Sequence, residues 1–178
     1  MMSRVILYIA ISLDGYIADV NGGVSWLDAF QHDVEDYEYS AFYQHLGALI
    51  MGGNTYRQIL GFGEWPYPGV TTHVVTSREL EDLPNTEIKS YRGDVVELVG
   101  RIKAGLTKDI WLVGGADLIR QFVTHNLIDE YIISIMPVLL GEGIPLLQGV
   151  DAPNQLELID SKHYTSGVVQ LRYKHPEG

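Results

Sequence analysis

The sequence predicts an α/β chain, a three-layer sandwich on a mostly parallel central sheet with antiparallel strands added at the C-terminal end. Three observations predict it. Apolar, β-rich runs alternate with amphipathic segments through most of the chain, as when helices cover both faces of a parallel sheet. Two of those runs end in paired glycines and pass at once into a helical segment. The last two β-rich segments alternate polar and apolar residues around a Thr165-Ser166-Gly167 turn, as a hairpin does.

Each element follows in order. Val5–Ile11 is continuously apolar and reads as a strand buried on both faces. Ser12-Leu13-Asp14-Gly15 breaks it before Tyr16-Ile17-Ala18, and Asp19–Ser25 carries the turn residues Asn21-Gly22-Gly23. Asp33–Leu46 reads as a helix with acids in its first turn and Tyr37, Phe42 and Leu46 at helical spacing. Ala48–Met51 is a second strand, and Thr55–Ile59 a short helix after Gly52-Gly53-Asn54. Gly61–Gly69 is a loop rich in Gly, Pro and aromatics, suited to a lid. Thr72–Thr76 and Glu87–Tyr91 are strands, and Val95–Gly105 is a helix with Val96, Val99 and Ile102 on one face. Ile110–Val113 is a strand ending at Gly114-Gly115, and Ala116–His125 is a helix burying Leu118, Ile119, Phe122 and Val123. Glu130–Val138, Gln155–Lys162 and Val168–Lys174 complete the sheet.

Composition bounds the function. The 178 residues are 46% apolar, which suits a single domain spanning 1–178. The formal charge of −11 repels phosphate backbones and argues against a nucleic-acid partner. The chain has no cysteine, so disulfides, thiol catalysis and Cys-bound zinc are excluded, and a cytoplasmic location is expected. No apolar run is long enough to span a membrane, and the N-terminal segment lacks the features of a signal peptide. His32, His45, His73, His125 and His163 show no metal-ligand spacing, so no metal is expected.

Three strand ends carry anion-friendly chemistry. At Ile110–Phe122 the glycines let backbone approach a ligand, and the following helix start presents free N–H groups. A plain tight turn would read the same. Ala48–Tyr56 repeats the design, with Asn54 and Thr55 as either caps or phosphate donors. Thr76-Ser77-Arg78 ends a third strand in two hydroxyls and a guanidinium, which suits a phosphate monoester as well as a solvated loop. Together the three make room for one dinucleotide at the carboxyl ends of the strands.

Further motifs occur in a fixed order. Ser12-Leu13-Asp14-Gly15-Tyr16-Ile17-Ala18 is followed by Ala48-Leu49-Ile50-Met51-Gly52, Thr55-Tyr56, Thr76-Ser77-Arg78 and Val113-Gly114-Gly115. Leu127-Ile128-Asp129-Glu130 and Pro137-Val138-Leu139-Leu140-Gly141-Glu142-Gly143 come last. This series resembles the dihydrofolate-reductase-like superfamily over nearly the whole chain. It is closer to the reductase domain of bacterial riboflavin biosynthesis, the RibD C-terminal type, than to true dihydrofolate reductase.

The resemblance implies an NADPH-dependent oxidoreductase of a small heterocyclic substrate, similar to 5-amino-6-(5-phosphoribosylamino)uracil reductase. It implies that Ala10 and Ile17 flank the nicotinamide and that Gly52, Gly53, Asn54 and Thr55 underlie the pyrophosphate. Thr76, Ser77 and Arg78 match the adenosine 2′-phosphate site. Val113, Gly114, Gly115, Ala116, Asp117 and Leu118 match the second phosphate turn, where the family often has a cis bond between the glycines. Relatives of this type often pair through strands, so a homodimer is expected. One departure stands out: Gly53 replaces an arginine common in the family. Either Arg57, one helical turn on, compensates, or NADPH affinity and selectivity against NADH fall.

Reduction also needs a proton source. True dihydrofolate reductases place one acid on the first helix, and the resemblance implies Asp36 or Glu38 as the acid facing the substrate, within an acidic segment that also holds Asp33 and Glu35. Asp14 reads as a turn residue. Tyr16 and Trp26 are expected as walls for a flat substrate, with core packing after a loop the other reading of Trp26. The acidic segment 28–39 counts against a phosphorylated substrate. The other reading is a non-catalytic nucleotide-binding protein that keeps the fold.

Overall fold

The computed structural model describes residues 3–31, 35–81, 83–150 and 153–176. A large sheet organises them. Its strands are β1 (Val5–Ser12), β3 (Leu46–Gly52), β4 (Thr71–Val75), β5 (Ile88–Tyr91), β6 (Asp109–Gly114), β7 (Glu130–Met136), β9 (Glu157–His163) and β10 (Val169–Lys174), in the spatial order β5-β4-β3-β6-β1-β7-β10-β9. The first six of these pair in parallel, and β10 and β9 are added antiparallel at one edge. Two short strands, β2 (Tyr16–Ala18) and β8 (Ile144–Pro145), pair separately. This is the predicted α/β architecture with antiparallel C-terminal strands.

The two faces of the sheet pack differently. On one face α3 (Val95–Gly105) and α4 (Ala116–Thr124) lay Leu98, Val99, Ile119 and Phe122 against Val5, Leu7, Ile110 and Leu112. All of these are nearly or wholly buried, and such aliphatic burial is the main stabilising term of the fold. Asp94 caps α3 by accepting hydrogen bonds from the Val96 and Glu97 N–H groups. The other face is aromatic. Tyr8 stacks on Phe42 from α1 (Tyr39–Gln44), and Trp111 meets Tyr8, Tyr39, Phe42 and Tyr67 edge-on.

Several boundaries differ from the sequence expectation. The helix expected over 33–46 reduces to α1, because Tyr37 and Glu38 adopt left-handed backbone with φ of 52° and 64°. Leu46 then opens β3 instead of closing the helix, and Asp33 and His32 lie outside the described residues. Ser25–Phe30, the segment that carries Trp26, forms a 3-10 helix. The helix after the first glycine pair begins on Gly53 itself, as α2 (Gly53–Leu60). The pairing of β2 with β8 was not foreseen. It requires Gly143, where a Cβ would sit 2.3 Å from the Ala18 carbonyl oxygen. Among the described residues no helix is long and apolar enough to cross a membrane.

Candidate functional site: a cleft at the carboxyl ends of the strands

Because the central strands are parallel, their carboxyl ends open on one side of the sheet. A cleft of about 1420 Å³ lies there. The ends of β3, β4 and β6 reach it at Gly52, Val75 and Gly114, and β1 reaches it at Ile9 and Ala10.

The two glycine turns meet in this cleft. A Cβ on Gly52 would lie 3.8 Å from the Gly114 carbonyl oxygen, and one on Gly115 would lie 3.3 Å from the Thr55 hydroxyl. The peptide bond between Gly114 and Gly115 is cis. The N-caps of α2 and α4 are Gly52 and Gly115, and neither helix start receives a side-chain capping bond. Two sets of unsatisfied N–H groups therefore face one space, with both helix dipoles presenting their positive ends. An anion is the group that such an arrangement stabilises.

Side chains reinforce that field. Arg57, Arg78 and Arg120 line the cleft, and Asp117 is the one carboxylate among the described lining residues. Asp117 is almost wholly exposed and stands 3.8 Å from Arg120. In a chain of formal charge −11, this local excess of cations is a built feature. The Arg57 guanidinium donates to Asn54 Oδ1. It also folds back toward the space above Gly53, where a Cβ would stand 3.3 Å from Arg57 Nη1 and 2.8 Å from the Thr76 hydroxyl. The space at position 53 is already taken, and Arg57 puts a cation there from the next turn of the helix.

All the residues expected to hold the cofactor line this cleft. They are Ala10 and Ile17, then Gly52, Gly53, Asn54 and Thr55, then Thr76, Ser77 and Arg78, then Val113 through Leu118. The residues expected to serve the substrate do not line it. Asp36 accepts hydrogen bonds from the Glu38 and Ser40 N–H groups, and the bonding at Ser40 holds its carboxyl below the ordinary aspartate range. That direction is opposite to the one a proton donor needs. Glu38 pairs with Lys162. Glu35 is bound by the Thr165 hydroxyl and the Thr165 and Ser166 N–H groups, with the Thr165 side chain the main cause of a pKa lowered to about 2. Glu35 and Glu38 are thus bound by the C-terminal hairpin, and Asp36 by the backbone of its own segment.

Tyr16 packs against Gly143 and its hydroxyl turns toward the Gly141 carbonyl. The Trp26 indole N–H is buried without a partner among the described residues, outside the lining. Asp14 accepts from the Ser12 hydroxyl and from the Leu140 and Gly141 N–H groups. The motif at Ser12–Gly15 and the glycine-rich motif at Pro137–Gly143 are therefore two halves of one contact.

Sequence reasoning missed other lining residues. Gln58 donates to the Gly22 carbonyl at 2.6 Å, which ties the 20–24 loop to α2 across the cleft. Val24, Leu27 and Phe62 line the same part, as does Tyr67, whose phenol is pushed strongly up by burial. The signal for Gln58 was present, since it stands four residues after Asn54 and so on the same face of the helix. No group of three or more His, Asp or Glu side chains among the described residues is placed to hold a metal ion.

The comparisons agree with this architecture. The RibD C-terminal domain family matches residues 3–170. The uncharacterized protein YwjB of Bacillus subtilis is 34% identical over 97% of this chain and 98% of its own length. The uncharacterized protein YyaP of the same organism is 32% identical over 96% and 94%. A crystal structure from Shewanella sp. PV-4, of a protein named for riboflavin biosynthesis, superposes with a TM-score of 0.87 at 28% identity, covering 98% of this chain and 99% of that one. The reductase-bearing chain of Thermotoga maritima, a diaminohydroxyphosphoribosylaminopyrimidine deaminase/5-amino-6-(5-phosphoribosylamino)uracil reductase, shares the fold at a TM-score of 0.73 and 17% identity, covering 98% of this chain and 57% of that one. With its sheet, its paired glycine turns and these matches, the chain belongs to the RibD C-terminal domain family and has that family's reductase-like α/β fold.

Proposed function

We propose that this chain is a nicotinamide-dinucleotide-dependent reductase with a preference for NADPH. The observation that carries the proposal is the convergence of two uncapped helix starts and three arginines on one cleft. The donor set fits a dinucleotide. Gly52–Thr55 and Gly114–Ala116 supply backbone N–H groups for a pyrophosphate, while Thr76, Ser77, Arg78 and Arg57 suit a terminal 2′-phosphate. Ala10 and Ile17 offer small and apolar surfaces for the nicotinamide. When bound, the reduced cofactor supplies hydride; the protein's part is to orient it and exclude water from one of its faces.

The test is equilibrium titration with NADPH and NADH. The expected result is tighter binding of NADPH. Arg78→Ala and Arg57→Ala should each weaken NADPH by about 10- to 100-fold, as expected for a lost charge-assisted hydrogen bond, and NADH far less. Equal losses for both cofactors would remove the 2′-phosphate assignment.

Asp117 is the one carboxylate among the described lining residues, and Asp36 and Glu38 are held elsewhere. This favours a second reading, a nucleotide-binding protein without catalysis. Binding of NADPH with no oxidation across a panel of pterins, aminouracils and quinones would support that reading over the first.

A further inference from the structure

The lining of the cleft is divided by chemistry. Arg57 and Thr76 meet above Gly53, the Arg78 N–H donates to the Thr76 hydroxyl, and Arg120 comes near Gly149. The part where the 20–24 loop meets α2 is different. The bond from Gln58 to the Gly22 carbonyl fixes that meeting. The 20–24 loop, the segment after it and the chain beyond α2 bring Val20, Val24, Leu27, Phe62 and Tyr67 into the lining, with Asn21 and Gln58 as neutral polar groups. Val20 is 62% exposed and Phe62 is 66% exposed, so two large apolar side chains stand in water at the mouth of a cleft. Covering them is favourable, and a flat apolar ligand does so.

The carboxylates point to the same substrate. Glu35, Asp36 and Glu38 are held by the C-terminal hairpin and by backbone N–H groups, and Asp14 by Leu140 and Gly141. The one carboxylate in the described lining, Asp117, is almost wholly exposed, which leaves water as the ready proton source for a substrate reduced here. That suits an acceptor whose two-electron reduction leaves charge on a conjugated oxygen, because such an anion needs no protein acid. A phosphate-bearing substrate would instead set a dianion against apolar walls.

We infer that the substrate is an uncharged, flat, conjugated carbonyl compound of the quinone or enone class, seated between the 20–24 loop and the end of α2. The inference rests on the reductase reading above. In the step, the C4–H bond of the dihydronicotinamide breaks and a new C–H or O–H bond forms on the acceptor. The electron pair comes to rest on the carbonyl oxygen, which takes a proton from water. The nicotinamide is oxidised and the carbonyl compound reduced.

Quenching of tryptophan fluorescence tests this without turnover, on the chain saturated with NADP⁺. The probes are 1,4-naphthoquinone and uridine 5′-monophosphate. Naphthoquinone is expected to bind at least about tenfold tighter. Phe62→Ser and Val20→Ser should each weaken it by about five- to tenfold, in keeping with loss of apolar contact, and leave NADP⁺ affinity within about twofold. Equal or tighter binding of the nucleotide overturns the inference, as does naphthoquinone binding that neither variant changes. If the chain binds no NADP⁺, the reductase reading fails. The inference then falls with it, whereas the naphthoquinone outcomes on the NADP⁺-bound chain test the inference alone.

Discussion

At the amino ends of the central strands, Arg4 and Arg172 close on Glu130, Arg4 also reaches Asp109, and Lys103 reaches Asp129. At the carboxyl ends, Arg57 and Arg78 have no carboxylate partner among the described residues, and Arg120 has only a loose contact with exposed Asp117. The same residue type serves two ends. At the first, each charge is neutralised and the result is a clamp across β6, β1, β7 and β10. At the second, the charges are left uncompensated beside two helix starts, which costs stability unless an anion arrives. Charge in this chain is read by whether it is answered.

The largest expected effect breaks the clamped end. Glu130 is buried, and its carboxylate accepts from Arg4 and Arg172. Glu130→Ala leaves the Arg172 guanidinium without its carboxylate and Arg4 with Asp109 alone, and should cost about 2 kcal/mol in urea denaturation. NADPH affinity should not change. A parallel loss of affinity would show that the two ends are not independent.

A smaller effect is expected at the open end. Gly53→Arg restores the side chain common in the family, yet its Cβ would stand 2.8 Å from the Thr76 hydroxyl and 3.0 Å from Thr76 Cβ. Overpacking should cost about 1 kcal/mol and lower Tm. NADPH binding should weaken, because the new side chain displaces Arg57 and Thr76. Tighter binding would show that position 53 is merely vacant.

The smallest effect concerns Glu35, whose pKa is lowered to about 2 by the Thr165 side chain. A carboxyl depressed on folding adds stability that is whole above its unfolded value of about 4.3 and is lost as pH falls through about 2. The difference in denaturation midpoint between the protein and Glu35→Gln should therefore be steady near neutrality and shrink as pH falls from about 5 to 2. A difference that does not depend on pH would show that the carboxylate charge is not what anchors this segment.

How much could be read in advance differs from region to region. The strand–glycine–helix units at Ala48–Tyr56 and Ile110–Phe122 were legible because each is local. A β-rich run, a missing Cβ and a helix start lie within a dozen residues. The acidic segment was misread for the opposite reason. Its helical spacing is real, but Tyr37 and Glu38 turn left-handed, and Glu35 finds its donors at Thr165 and Ser166, far along the chain. Residue type alone marks Tyr16 and Trp26 as aromatic walls, and neither lines the cleft. The apolar wall that does line the cleft, from Val24, Leu27 and Phe62, has no sequence motif.

The sequence by itself determined the α/β class and the two glycine turns. Each rests on backbone preferences that act within a turn of chain. Only the tertiary structure decided that the two turns touch, that Arg57 occupies the space above Gly53, and that Glu35 and Glu38 bind the hairpin and do not line the cleft. Those outcomes depend on which distant group reaches a side chain first, and local propensity carries no information about that partner.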